Sequence, residues 1–181
     1  LDVVERDEAR EARSFEPLLA ALDDITPRVE VARPGTCALA MRGPSRYFGG
    51  DEAVAALVRE RMGVALEGRT EIRVGIADGP FAAGLAARAA HPTRIVVAGE
   101  SPAFRAPMAI SVLDRPDLVD VLVRLGIRSL GAFAALPVAD VLARFGNEGR
   151  GAHRLASGLD ERPPDARLTP PDWSISTEID P

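Results

Sequence analysis

Residues 29–43, VEVARPGTCALAMRG, contain two apolar stretches separated by Arg33-Pro34-Gly35-Thr36. Val29 and Val31 alternate with polar neighbours, as in a half-buried strand. Proline fixes φ near a value that turns use, and glycine tolerates a positive φ. The stretch therefore predicts a strand at 29–33, a turn, and a second strand at 36–42.

The flanking residues predict further helices and strands. Apolar residues recur at three- and four-residue spacing over 7–24 and 51–66, which is typical of amphipathic helices. The β-branched runs at 71–78 and 94–99 predict strands, and the alanine-rich run at 80–90 predicts a helix between them. GPSRYFGG, residues 43–50, reads as a loop. This order predicts an α+β fold, with helices on one face of a small mixed or antiparallel sheet.

The pattern changes after residue 108, where only short helical segments follow, at 117–125, 130–136, 138–145 and 151–158. Short helices with brief glycine-containing connections predict a small all-α subdomain. Pro102 and Pro107 mark the expected boundary. We therefore expect an α+β domain at 1–107, a helical domain at 108–162, and a proline-rich linker at 163–181.

Composition excludes several classes of chemistry. All 22 basic residues are arginine, so no lysine is present for a Schiff base or a phosphate-binding loop. The single cysteine, Cys37, excludes an internal disulfide and a multi-cysteine zinc site. The net charge of −5 argues against a broadly basic surface. No run is apolar enough to span a membrane, so we expect a cytoplasmic protein.

Three other features admit a functional and a structural interpretation. GIADGP, residues 75–80, precedes a helix as phosphate loops do, but its spacing fits no phosphate-loop motif and favours a tight turn. His153 lies near two arginines and is more typical of a structural histidine than of a phosphate contact. Cys37 in a strand is more typical of a small apolar residue than of a nucleophile.

Three segments together resemble the Y-family translesion DNA polymerases. TPRVEVARPGTCALAMRG at 26–43 is similar to the family's strand–turn–strand motif S-P-x-V-E-x-x-S-I-D-E-A-F-L-D-x-T-G. VGIADGPFAAGLAAR at 74–88 resembles its GIA-x-N-K segment, and 125–163 resembles its LGI and FG-x-x-G blocks. The resemblance implies an α+β palm followed by a helical thumb. It also implies that fingers and a first palm strand precede Leu1 and that a little finger follows Pro181.

The departures from the family motif concern its chemistry. The resemblance places the family's metal-binding Asp and Glu at Gly35 and Thr36, and its triphosphate-binding Lys at Gly84. Magnesium requires hard anionic oxygens, which neither Gly35 nor Thr36 supplies. We therefore predict a degenerate polymerase site with no metal and no cofactor, in a chain that is not an enzyme.

ARPGTCALAMRGPSRYFGG, residues 32–50, resembles the actinobacterial branch of the ImuB-type proteins, which are catalytically inactive relatives of Y-family polymerases. The resemblance implies an adaptor role in DNA-damage-induced mutagenesis within the SOS response. It implies three partners, namely an error-prone DnaE-type polymerase, the sliding clamp and an ImuA-type protein. The chain contains no glutamine, so a Q-x-x-L-F-type clamp peptide cannot lie within it.

The resemblance also implies weak contacts with DNA. Y-family thumbs present backbone amides of helix-hairpin-helix loops to DNA phosphates, a contact that is independent of sequence. The residues that match these loops or lie near them are Gly126, Arg128, Gly146, Gly149, Arg150 and Gly151. At the first hairpin the family's G-x-G falls on Leu113-Asp114-Arg115, which places a carboxylate where an anion should approach.

Two other functions fit the same residues. The first is an active low-fidelity polymerase whose metal site has been rearranged around carboxylates such as Glu30 or Asp78. The second is a sequence-independent DNA-binding module built on the thumb, which predicts salt-sensitive binding through Arg128 and Arg150.

Overall fold

The computed structural model describes residues 8–33 and 35–159, with the backbone alone at 8–15 and at 33. The elements in chain order are α1 (Glu8–Asp23), β1 (Val29–Arg33), β2 (Thr36–Leu39), α2 (Arg42–Phe48), α3 (Asp51–Ala65), β3 (Val74–Ile76), α4 (Pro80–Arg88), β4 (Thr93–Ile95), α5 (Ser101–Arg105), a 3-10 helix (Ile110–Leu113), α6 (Pro116–Arg124), α7 (Leu130–Ala134) and α8 (Val138–Ser157). The predicted mixed α+β fold followed by short helices is confirmed. The predicted linker at 163–181 and Pro34 lie outside the described residues.

The strand–turn–strand predicted from the opening stretch is an antiparallel hairpin. Val29 pairs with Leu39 and Val31 pairs with Cys37, and the register becomes irregular towards the turn. Gly35 occupies the turn with φ of 77°, a conformation that residues with a Cβ rarely adopt. β2 ends at Leu39, before the predicted end at 42, because the chain turns there into α2.

The segment GPSRYFGG, predicted to be a loop, forms helix α2. Pro44 lies in the first turn of this helix, where backbone N–H groups have no partner within the helix and proline is therefore tolerated. Pro44 is buried and Phe48 packs on the first apolar core, so burial stabilises a helix that glycine and proline disfavour. Gly49, with φ of 90°, ends the helix in the left-handed conformation.

The first apolar core lies between α1, α3 and the β1–β2 hairpin. Leu22 and Val54 are fully buried, and Val29 contributes from β1. Ile72 and Val74 pack against the same cluster from the segment that leads into β3. This core therefore joins the hairpin to the start of the second strand pair.

β3 and β4 form a parallel pair of three residues each, shorter than the predicted strands at 71–78 and 94–99. The pairing of β3 with β4 ends at Ile76 and Ile95. Beyond this point side-chain hydrogen bonds connect the two segments. The Asp78 carboxylate accepts hydrogen bonds from the Gly99 N–H at 2.8 Å and from the Ser101 hydroxyl at 2.9 Å. The described residues thus contain two separate two-stranded sheets, where we had predicted one small sheet.

The second apolar core lies within the helical part. Phe133, Leu122, Leu130 and Ile110 are almost completely buried in it. Leu85 of α4 belongs to the same cluster, and Phe81 packs against it. Helix α4 therefore connects the parallel strand pair to the helical part.

Pro102 and Pro107, predicted to mark the domain boundary, are both exposed, and Phe104 between them packs against the second apolar core. Pro102 lies in α5, and the following residues bond to the start of α7, where the Leu130 N–H donates to the Met108 carbonyl at 2.9 Å. Arg105 is 2% exposed, and its Nη1 lies 3.4 Å from the Leu155 carbonyl of α8. Its guanidinium thus lies at the negative end of that helix. None of the helices at 8–33 and 35–159 has the length and apolar composition that a membrane-spanning helix needs.

A close contact between β3 and α4 depends on Gly75. A Cβ built there would lie 2.1 Å from the Ala87 nitrogen and 2.3 Å from the Ala83 oxygen. Both atoms belong to the backbone, so they cannot move aside as a side chain can. A methyl group at Gly84 on the same helix α4 meets no atom within 4 Å.

These two glycines give a matched prediction about stability. We expect Gly75→Ala to lower the free energy of unfolding by about 2 kcal/mol or more, because β3 must separate from α4. Gly84→Ala is expected to raise it by up to about 1 kcal/mol, because alanine favours the helix. Chemical denaturation monitored by circular dichroism measures both values. Equal stability of the two variants would contradict the described packing.

Candidate nucleic-acid interface

The β1–β2 turn is where the resemblance placed metal ligands. Gly35 is exposed, and Thr36 is half-buried and pairs with Arg33 across the hairpin. Neither residue carries a carboxylate. Among the described residues, no group of three or more His, Cys, Asp or Glu side chains is arranged to hold a metal ion. Gly84, the third position singled out, lies on α4.

Cys37 and His153 have structural surroundings. Cys37 lies in β2, and burial raises the pKa of its thiol, which disfavours the reactive thiolate. His153 is 6% exposed, its Nε2 lies 3.0 Å from the Leu136 carbonyl oxygen, and its ring meets the Phe133 ring edge to face. Neither side chain is placed to act on a ligand, in agreement with the structural interpretation of both.

Helix α8 is broken at Gly146, inside the segment FGNEGRG. The backbone of Gly146 has φ of 63° and ψ of −155°, a region open almost only to glycine. We predicted two helices with a connection between them, whereas the structure has two helical segments that meet at this single residue. The first amides of a helical segment have no carbonyl partner within it, and they favour negative charge. Residues 146–148, which begin the second segment, are exposed.

The remaining glycines of this segment differ in their surroundings. Gly149 is buried, and a Cβ there would lie 2.3 Å from the Cβ of Phe145. Its place is therefore set by packing within α8. A Cβ at Gly151 would have no neighbouring atom within 4 Å, and Arg150 is exposed. Arg150 and Gly151 are thus accessible to a ligand. The lack of a side chain at Gly149 lets this turn pack closely against Phe145.

The structure brings the two predicted hairpin loops together. Asp114 adopts the left-handed conformation with φ of 55°, and Arg115 follows it at the start of α6. Arg115 Nη1 lies 3.7 Å from Glu148 Oε1, in the first turn after the break at Gly146. We name Asp114, Arg115 and residues 146–151 the hairpin surface. The Arg115–Glu148 contact had no sequence signal, because the two residues lie far apart in the chain.

Gly126 and Arg128 lie in the connection between α6 and α7. Gly126 has φ of 82°, its N–H donates to the Val123 carbonyl, and the Ile127 N–H donates to the Leu122 carbonyl at 2.9 Å. This is a Schellman motif, in which glycine ends a helix. The Arg128 side chain is exposed, while its carbonyl accepts from the Ile110 N–H at 2.9 Å. The Arg128 side chain is therefore accessible to a ligand, and Gly126 caps the carboxyl end of α6.

Comparison with known proteins identifies the relatives of this fold. DNA polymerase IV of Dehalococcoides mccartyi is 30% identical over 152 residues, which is 82% of this chain and 38% of that protein. DNA polymerase IV of Moorella thermoacetica is 29% identical over 166 residues, which is 90% of this chain and 41% of that protein. The chain is distantly homologous to Y-family DNA polymerase IV. No family model matches it.

Two solved structures share the fold. DinB from Sulfolobus solfataricus superposes with a TM-score of 0.70 at 18% identity, over 90% of this chain and 49% of that chain. A Dbh ternary complex superposes with a TM-score of 0.68 at 20% identity, over 92% of this chain and 50% of that chain. The chain therefore has the fold of a palm and thumb, and it spans about two fifths of the curated relatives it matches.

The prediction that the chain is not an enzyme is wrong. The relatives are named DNA polymerase IV, an enzyme family. The prediction relied on Gly35, Thr36 and Gly84 and on the resemblance of residues 32–50 to the ImuB-type proteins. Two-metal sites collect their ligands from several elements, so three positions in a partial chain do not decide the activity of the protein.

The Glu148 carboxylate gives a prediction about charge at the hairpin surface. We expect Glu148→Gln to increase the affinity of the full-length protein for duplex DNA about fivefold at low salt, since one unit-charge contact in water amounts to about 1 kcal/mol. The substitution removes a repelling charge and releases Arg115. Fluorescence anisotropy with a labelled duplex measures the affinity.

Glu60→Gln is the matched control, because Glu60 is an exposed acid on α3, away from the hairpin surface. The control removes the same charge from the protein as a whole. Equal gains in the two variants would indicate a general charge effect and would contradict a role for the hairpin surface.

Proposed function

We propose that the chain forms the palm and thumb of a protein of translesion DNA synthesis, and that its thumb holds duplex DNA by the phosphate backbone. The observation that carries the proposal is the hairpin surface. There a glycine-only break in α8 starts a new helical segment beside Arg115, with Arg150 exposed in the same turn. The homology to DNA polymerase IV supports a role on DNA.

The chemistry of this surface suits a sequence-independent contact. Backbone amides at a helix start and exposed guanidinium groups both bind phosphate oxygens, and neither reads a base. Asp114 and Glu148 place two carboxylates beside these donors, so the net attraction for DNA is small. We expect weak binding with a strong dependence on salt.

Arginine substitutions test the proposal. In the full-length protein, Arg150→Ala should weaken duplex binding equally for duplexes of different sequence. The magnitude of the negative slope of log affinity against log salt should decrease by about one. Arg128→Ala should act in the same way if its exposed guanidinium also meets a phosphate. Anisotropy titrations over a range of salt concentrations give both quantities.

Arg59→Ala is the control for loss of one positive charge, since Arg59 is exposed on α3. The proposal requires Arg150→Ala to have a larger effect than this control. If both substitutions change affinity and slope equally, the thumb is not the duplex-binding element.

The segment at 32–50 supports a second, finer part of the proposal, because it resembles the ImuB-type proteins. We propose that the protein assembles an error-prone DnaE-type polymerase, the sliding clamp and an ImuA-type protein at damaged DNA. Partner binding measured by co-purification should survive Arg150→Ala, since assembly and phosphate contact use different chemistry. Loss of partner binding together with duplex binding would contradict this part of the proposal.

A further inference from the structure

Helix α2 presents a polar and aromatic face to solvent. Pro44 is buried and Phe48 packs on the first apolar core, whereas Arg42, Arg46 and Tyr47 are exposed. Tyr47 is 83% exposed, an unusual state for a large ring in a folded protein. Burial in the core therefore accounts for Pro44 and Phe48. It does not account for the exposed side chains of Arg42, Arg46 and Tyr47.

The exposed ring is held in a defined position. The Tyr47 and Phe48 rings meet edge to face with centroids 4.8 Å apart, and Phe48 is anchored in the core. The Ser45 hydroxyl donates to Asp51 Oδ1 at 2.5 Å, and the Gly50 N–H donates to the Ser45 carbonyl at 2.7 Å. These bonds fix the corner between α2 and α3. A surface that is ordered before binding loses little entropy when a ligand stacks on it.

The charged side chains of α2 itself are all positive. Arg42 and Arg46 lie four residues apart, on the same side of α2. Neither forms an ion pair with another residue of the described part of the chain. Residues 31–50 contain three arginines and no acidic residue, and Glu30, Asp51 and Glu52 flank this run, in a chain whose net charge is −5. The outer face of α2 is thus a local exception in an acidic protein.

We propose that the outer face of α2, made of Arg42, Arg46 and Tyr47, binds single-stranded DNA. The two guanidinium groups would hold successive phosphates, and the Tyr47 ring would stack on an unpaired base. Duplex DNA offers phosphates to arginine but keeps its bases stacked away from such a ring. An acidic peptide would use the arginines and would have no need for the ring.

This surface is separate from the hairpin surface of the thumb. The two differ in ligand, since one holds duplex phosphates and the other holds an unpaired strand. The inference therefore goes beyond the proposed function. Single-strand binding by α2 and duplex binding by the hairpin surface can be tested independently. Together they would let one protein hold the paired and the unpaired part of a template.

Substitution of Tyr47 is the most direct test. In the full-length protein, Tyr47→Ala should weaken binding to a labelled oligothymidylate about fivefold or more, whereas Tyr47→Phe, which keeps the ring, should bind like the parent. Arg42→Ala and Arg46→Ala should weaken binding and reduce its salt dependence. Duplex affinity should change far less with Tyr47→Ala than oligothymidylate affinity does.

Matched controls lie on α3, where Val64 is 76% exposed and Arg59 is exposed. Val64→Ala and Arg59→Ala remove an exposed apolar side chain and a charge from another surface. Unchanged oligothymidylate binding in Tyr47→Ala, or an equal loss in Val64→Ala, would overturn the proposal. So would a loss in Tyr47→Phe equal to that in Tyr47→Ala, because stacking does not need the hydroxyl.

Discussion

The absence of a side chain at Gly75 allows β3 to lie directly against the backbone of α4. The atoms that a Cβ would strike belong to the main chain of α4, so the helix would have to move away as a unit. Val74, beside Gly75, packs against the first apolar core, and Leu85 of α4 is buried in the second. This contact joins the two cores, and through them it sets the position of the thumb relative to the palm.

The hairpin surface combines a break in the backbone of α8 with charged side chains. The break at Gly146 creates a helix start inside α8, and buried Gly149 keeps the following turn close to Phe145. Arg115 reaches this turn from the other loop and meets Glu148. A long, partly exposed ion pair of this kind contributes little to stability. Its main consequence is electrostatic, because it weakens the attraction of the surface for phosphate.

Much of the fold follows from periodicity, and the exceptions have local causes. The hairpin around Gly35 and the helices α1, α3 and α4 follow from alternation and helical spacing. Helix α2 could not be predicted, because Pro44 and the glycines around it favour a loop and only burial of Pro44 and Phe48 offsets them. The hairpin surface was predicted in part: its glycines carry a motif, but the Arg115–Glu148 contact arises from tertiary structure alone. Three substituted positions also proved too few to predict the activity of a polymerase homologue.

Hydrogen–deuterium exchange of the full-length protein, with and without a primer–template duplex, tests the central claim that the thumb holds DNA by its hairpin loops. The method reports on the backbone amides that would bind phosphate. Duplex binding should slow exchange at residues 147–151 and at Asp114 and Arg115, and should leave α3 unchanged. Protection elsewhere in the protein, with none at these residues, would contradict the account.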